Sequence, residues 1–196
     1  PMNTPETFVP YEGSVMVIDP SGRGKDETSY VVTKSLFGKV YVTRWGGLSG
    51  GYDSETLKEL VLIAKEQKVN LVKIESNFGD GMFNNLLQPV RNQVYPVVIA
   101  ETERSSAQKE MRIIDTLEPV MNQHRLVVNR KLIDEDFKST LDYPLEQQNG
   151  YRFFFQLTRI TKDRGSLRHD DRLDAVALAV HHFTEIMSRD ATKGAE

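Results

Sequence analysis

Cysteine is absent from the 196 residues, and that absence alone excludes a disulfide scaffold, a thiolate zinc site, an iron–sulfur cluster and a cysteine nucleophile. Long apolar runs are missing too. The longest, such as Val15–Ile18 and Ala175–Val180, fall far short of the roughly 20 residues a membrane span needs, so no membrane partner is expected. Neither sign of charge dominates: 25 Lys and Arg against 28 Asp and Glu leave a net charge of −3. Without a global basic field, a nucleic-acid partner has to be met by local basic patches or by metal ions. The opening PMNTPETFVPYEG is not the charged-then-apolar pattern of a signal peptide, and no repeat or biased tract stands out. What is present, 39% hydrophobic and 27% charged residues with 13 Gly and 8 Pro, is the composition of one globular domain of ordinary size.

The period of the apolar residues sets the fold class. Ser14–Asp19 is a short, nearly continuous apolar run between Gly13 and the turn Pro20-Ser21-Gly22, as expected of a buried central strand. Thr28–Leu36 and Lys39–Trp45 are rich in β-branched and aromatic residues and meet at Phe37-Gly38, which predicts a hairpin. Leu57, Leu60, Val61 and Ala64 then fall on one helical face after Asp53 or Ser54 as cap. Next come a strand at Leu71–Glu75, a helix from about Asp80 to Asn92, and a strand at Val97–Ile99. A helix from Ser105 with Gln108 as its capping-box partner follows. A short strand at Arg125–Val128, a helix at Asp134–Asp142 and a helical reading of Phe153–Leu157 complete the middle of the chain. The last helix, capped at His169 or Asp170, carries a stripe of Leu173, Val176, Ala177, Val180 and Phe183. Strands alternating with helices after an antiparallel opening predict an α/β fold, a mixed sheet with helices on both faces.

Acidic residues fall where structural logic alone would not place them. Asp19 ends the first strand, Glu75 ends the strand expected beside it, and Asp170, Asp171 and Asp174 cluster in HDDRLDA. Neighbouring parallel strands lie about 5 Å apart, and residues three and four apart share a helix face, so one end of the sheet can gather all of them. Two carboxylates about 4 Å apart repel by roughly 4 kcal/mol at an effective dielectric near 20, a conflict that a divalent ion resolves. Oxygen-only ligands select Mg²⁺ or Mn²⁺, and two such ions serve an in-line phosphoryl displacement. Plainer roles compete at each position: Asp19 as a turn former, Glu75 as a solvated strand end, Asp170 or Asp171 as helix caps, His169 as a cap neighbour and Asp80 as a cap. Asp174 resists a plain role, because it precedes a six-residue apolar run where an unpaired charge is expensive.

Basic residues are less distinctive. Gly22-Arg23-Gly24-Lys25 lacks the upstream Gly and the following Ser or Thr of a nucleotide-binding phosphate loop, yet Arg23 and Lys25 are placed to touch a DNA backbone beside Asp19. Arg159, Lys162, Arg164 and Arg168 form a second basic stretch leading into the acidic helix.

Together VIDPSGRGKDETSY, VKIESNFGDGMF, SSAQKEMRIIDTLEP and HDDRLDAVALA resemble the C-terminal nuclease domain of the large terminase subunit of short-tailed double-stranded DNA phages. The resemblance runs from about Ser14 to Phe183 and implies a ribonuclease H-like fold. By that resemblance Asp19, Glu75, Asp171 and Asp174 are the catalytic residues and the ligands of two divalent cations, Mg²⁺ or Mn²⁺; HDDRLDA offers three aspartates where the pattern uses one or two, so Asp170 stays a candidate. Arg23, Lys25, Arg164 and Arg168 are the expected DNA contacts. The family implies endonucleolytic hydrolysis of concatemeric double-stranded DNA by metal-activated water in the bacterial cytoplasm, transiently at the procapsid portal. Its expected partners are an ATPase domain of the same polypeptide, the portal protein and the small terminase subunit. The expected layout is a linker at 1–13, a nuclease domain at 14–189 and a flexible tail at 190–196. Little sequence preference is expected, as no base-reading helix is evident. The alternatives are a junction resolvase of the same superfamily and a non-catalytic docking domain of the packaging motor.

Overall fold

The computed structural model describes residues 9–21, 27–75, 81–102 and 107–193. Its strands are β1 (Gly13–Asp19), β2 (Thr28–Leu36), β3 (Lys39–Leu48), β4 (Leu71–Ile74), β5 (Val98–Glu101) and β6 (Leu126–Val128). Its helices are α1 (Ser54–Glu66), α2 (Met82–Val94), α3 (Lys109–Asn122), α4 (Lys131–Lys138), α5 (Leu145–Tyr151), α6 (Phe153–Arg159) and α7 (Asp171–Lys193).

The strands form one sheet in the order β5-β4-β1-β2-β3-β6. β1, β2 and β3 are antiparallel neighbours, while β4 lies parallel to β1, β5 to β4, and β6 to β3. The hairpin turns where the sequence predicts it, with Phe37 and Gly38 both at positive φ (50° and 71°), the mirror-image turn that matches strand twist. Alternation along the strands divides the core in two. Val15, Val17, Val31, Val40, Val42 and Trp45 face α3, α4, α6 and α7, whereas Met16, Ile18, Tyr30 and Val32 face α1 and α2. Helices thus cover both faces of a mixed sheet, as expected.

Three helix expectations need correction. α3 starts at Lys109, so Gln108 is its cap residue rather than a residue of its first turn, and its side chain makes no cap hydrogen bond. Gln108 instead donates from Nε2 to the Lys162 carbonyl (3.0 Å); Ser105 lies outside the described residues. α4 begins and ends earlier than Asp134–Asp142, because the Asn129 side chain accepts the Lys131 N–H (3.1 Å) and starts the helix there. α5 was not expected: seven residues with a glycine inside carry too little periodicity to register.

α7 organises the molecule. The predicted stripe of Leu173, Val176, Ala177, Val180 and Phe183 is buried against the sheet, and Ala175 and Ala179 are buried beside it. At its start, Ser29 on β2 donates its hydroxyl to the Asp171 carbonyl (3.1 Å); since Ser29 pairs with Asp19 across the β1–β2 ladder, this bond places the first turn of α7 over the end of β1. The neighbouring Arg172 is 1% exposed. Its guanidinium forks onto Glu27 (2.6 and 2.9 Å) and reaches Asp136 (3.2 Å) and the Ser139 hydroxyl (2.8 Å). Asp136 in turn accepts the Phe153 and Phe154 N–H groups (3.0 and 3.3 Å) and so starts α6. Glycine is required at position 47, where a Cβ would lie 1.9 Å from the Glu27 carboxyl.

Candidate metal centre

The parallel pairing of β1 and β4 sets Ile18 beside Ile74, and the Glu75 N–H extends the ladder by donating to the Ile18 carbonyl (2.9 Å). The next residue on each strand is an acid, so Asp19 and Glu75 emerge together at one end of the sheet. Asp174, a turn into α7, descends onto them. Carboxylate oxygens of Asp19, Glu75 and Asp174 all lie within 4.8 Å of one another, with Asp19 half-buried and the other two buried. Three distant segments therefore supply one oxygen-only cluster, the donor chemistry that fits Mg²⁺ or Mn²⁺ and disfavours zinc.

Asp171 lies in the first turn of α7, close enough that its charge is among those raising the Asp19 pKa, but it is outside the three-residue cluster. Asp170 sits just before the helix, where its carbonyl accepts the Asp174 N–H (2.8 Å). Arg164 and Arg168 are exposed on the loop before α7; Arg23, Lys25 and Asp80 lie outside the described residues.

Sequence reasoning missed two cations. Lys109 and Arg112, three apart at the start of α3, share a face that meets α7. The Lys109 ammonium bonds Asp170 (2.8 Å) and lies 3.2 Å from Asp174 and 4.0 Å from Asp171. Arg112 Nη2 donates to both Asp174 oxygens (2.7 and 2.8 Å). The repulsion anticipated among the acids is thus partly offset by the chain's own cations. The available signal was this lysine–arginine pair at helical spacing in the third of the four sequence motifs.

Burial still governs the titration of Asp174 and Asp19. It pushes the Asp174 carboxyl up to about 6, against the pull of Lys109 and Arg112. Burial, then the charge of Glu75 and a hydrogen bond to it, raises the Asp19 carboxyl well above the ordinary range. Burial alone would lower the Lys109 ammonium, but Asp174 and Asp170 outweigh it and raise its pKa. An unfolded Asp titrates near about 3.9. Between that value and about 6 the folded chain holds more protons at Asp174 than the unfolded chain does, so stability from this group falls as pH rises through the window. A divalent cation bound there would compete with those protons. Thermal unfolding with and without Mn²⁺ is therefore expected to give a larger metal-induced rise in Tm at about pH 7.5 than at about pH 5; equal rises at both would contradict this electrostatic account.

Among the described residues no helix is long and apolar enough to cross a membrane. The sequence model of the ribonuclease H-like domain of the bacteriophage T7 terminase matches residues 18–126. The large terminase subunit of Enterobacteria phage T3 is 44% identical over 183 residues, which are 93% of this chain and 31% of that protein; the chain thus spans less than half of that relative's length. In fold, the chain is similar to the manganese-soaked human cytomegalovirus terminase nuclease domain (TM-score 0.57, 12% identity, 87% of this chain and 82% of that one). It is also similar to the large terminase nuclease of thermophilic phage G20c (TM-score 0.55, 14% identity, 86% and 81%). The expected ribonuclease H-like architecture is therefore the observed one. Residues 18–126 take in both strand-end acids, and on that match the chain belongs to the family of the ribonuclease H-like domain of bacteriophage T7 terminase.

Proposed function

We propose that this chain is a metal-dependent endonuclease domain of a DNA-packaging terminase. Its substrate is double-stranded viral DNA, whose phosphodiester bonds it hydrolyses with little sequence preference. The observation that carries this reading is the convergence of Asp19, Glu75 and Asp174 from β1, β4 and α7 within 4.8 Å. These three would hold two divalent cations, Mg²⁺ or Mn²⁺, with Asp171 as a further ligand from the same helix turn; the manganese soaked into the cytomegalovirus domain supports that choice. When bound, such ions activate water for attack on phosphorus and stabilise the leaving 3′ oxygen.

The chain's own residues do the rest. β1 and β4 fix the spacing of Asp19 and Glu75, and the Ser29 bond to the α7 backbone fixes the height of Asp174 above them. Lys109 and Arg112 hold the Asp174 carboxylate in place and favour its ionised form. Exposed Arg164 and Arg168, with Arg23 and Lys25, would meet backbone phosphates that the net negative chain does not attract globally. The nuclease domain proper would be 14–189. In the larger protein it would work beside an ATPase domain, with the portal protein and small subunit as partners, in the bacterial cytoplasm and at the procapsid portal.

Incubation of the purified chain with linear duplex and with a four-way junction, each with Mg²⁺, Mn²⁺ or chelator, tests the reading. Cation-dependent cutting of the linear duplex at many sites is expected. Paired, symmetric cuts confined to the junction would indicate a resolvase instead, and no cutting of either substrate by protein saturated with Mn²⁺ would indicate a docking domain.

A further inference from the structure

A cleft of about 390 Å³ opens beside the start of α7, lined by Gly150, Phe155, Arg159, Leu167, Arg168 and His169 among others. Its floor is fixed. The His169 ring stacks on Tyr151 (4.0 Å between centroids), which stacks on Tyr143 (4.4 Å), whose hydroxyl donates to Glu27 (2.8 Å) in the buried Arg172 network. The glycine at position 150 lets the ring approach, for a Cβ there would lie 3.3 Å from the His169 Cδ2.

One wall is equally fixed. The loop between α6 and α7 is pinned to α3 by the Gly165 N–H donating to Glu110 (2.5 Å) and by the Lys162 carbonyl accepting from Gln108 (3.0 Å). A turn bond from the Thr161 N–H to the Ser166 hydroxyl (3.2 Å) closes it. On the other wall Arg159 lies 5.9 Å from the Phe155 ring, one helical turn away on α6. Arg44, Arg112, Arg125, Arg152 and Arg172 are each tied to acceptors. Arg159 and Arg168, by contrast, have no hydrogen-bond or ion-pair partner among the described residues. Two unengaged guanidiniums thus face a preformed cleft with an apolar side.

The position of the cleft indicates what fills it. His169 is two residues from Asp171, so their Cα atoms are at most about 7.6 Å apart, of the order of the spacing between neighbouring phosphates of a strand. Planar guanidiniums match phosphate oxygens as a fork, and the cavity has room for more than a phosphate alone. We propose that this cleft is a backbone subsite for the DNA strand next to the bond that is cut, taking one phosphodiester on Arg159 and Arg168 and packing the adjoining deoxyribose on Phe155. The proposal rests on the nuclease reading and sharpens it: Arg164, on the same loop, does not line the cleft and contributes less than either arginine that does. Contacts of this kind position a strand without reading its sequence.

The test is fluorescence anisotropy of a labelled linear duplex with Ca²⁺, over a range of salt, using the whole chain. Arg159→Ala/Arg168→Ala is expected to raise Kd about ten-fold or more and to lower the slope of log K against log salt by about one to two. Its Mn²⁺ affinity by calorimetry stays at the wild-type value. Lys58→Ala/Lys65→Ala removes the same charge from α1 on the opposite face and is expected to change Kd by less than about two-fold. Phe155→Ala weakens binding and Phe155→Leu restores most of it. DNA binding by the arginine variant that matches wild type or the α1 control overturns the subsite, as does an accompanying loss of Mn²⁺ affinity, which would locate the damage at the start of α7. A wild-type chain that binds DNA through these arginines yet cuts none with Mn²⁺ sinks the nuclease reading and leaves the subsite standing.

Discussion

Asp174→Asn is expected to abolish the proposed cation-dependent cleavage of linear duplex DNA, lowering it by roughly three orders of magnitude or more, the scale on which loss of one member of a catalytic unit acts. Asp174 is fully buried and is the acid that α7 supplies to the three-residue cluster found among the described residues. Asparagine keeps its shape and one oxygen but removes the charge that a hard cation requires. The fold is expected to survive, because the buried carboxylate is costly to the metal-free protein: burial pushes its pKa up to about 6 even against the pull of Lys109 and Arg112. Far-ultraviolet circular dichroism is therefore expected to match wild type. Asp170→Asn is the informative contrast, since Asp170 bonds Lys109 but lies outside the cluster; its activity is expected to fall less than about ten-fold. Equal loss in both variants would mean that α7 contributes general acidity and no specific ligand.

Arg172→Met is expected to destabilise the chain by about 3–5 kcal/mol, the cost of leaving buried charges without their partner. Glu27 and Asp136 are 3% and 2% exposed, and methionine fills the volume while supplying none of the donors that Arg172 gives them. For a domain of this size that loss corresponds to roughly 10 °C in Tm. The double variant Arg172→Met/Glu27→Gln is expected to be less destabilised than the sum of the single variants, since the second change removes a charge the first has orphaned. Strict additivity in thermal or denaturant unfolding would show that the pair does not act as a unit.

How much of this was legible in the sequence depended on whether the signal was local. β1, the hairpin and α7 were readable because their apolar periods are long and their turns carry the right residues. The convergence of Asp19, Glu75 and Asp174 was readable from position, with two acids at the ends of strands expected side by side and one before an apolar run; taken singly, only Asp174 lacked a plain role. α5 was not, being short and interrupted by Gly150. The roles of Lys109, Arg112 and Arg172 were not readable either. On paper they are ordinary charges of amphipathic helices, and only the packing of α3 and α4 against α7 turns them inward. Arg172 stands between two candidate ligands in HDDRLDA, yet its long side chain leads away from the metal centre to Glu27 and Asp136.

The claim beneath the whole account is that β1, β4 and α7 build one centre for hard cations. Anomalous diffraction from Mn²⁺-soaked crystals tests it most directly. The expected result is two manganese peaks about 3.5–4 Å apart, held by Asp19, Glu75 and Asp174. Crystals saturated with Mn²⁺ that show no peak there, with Lys109 and Arg112 still seated on Asp174, would contradict it.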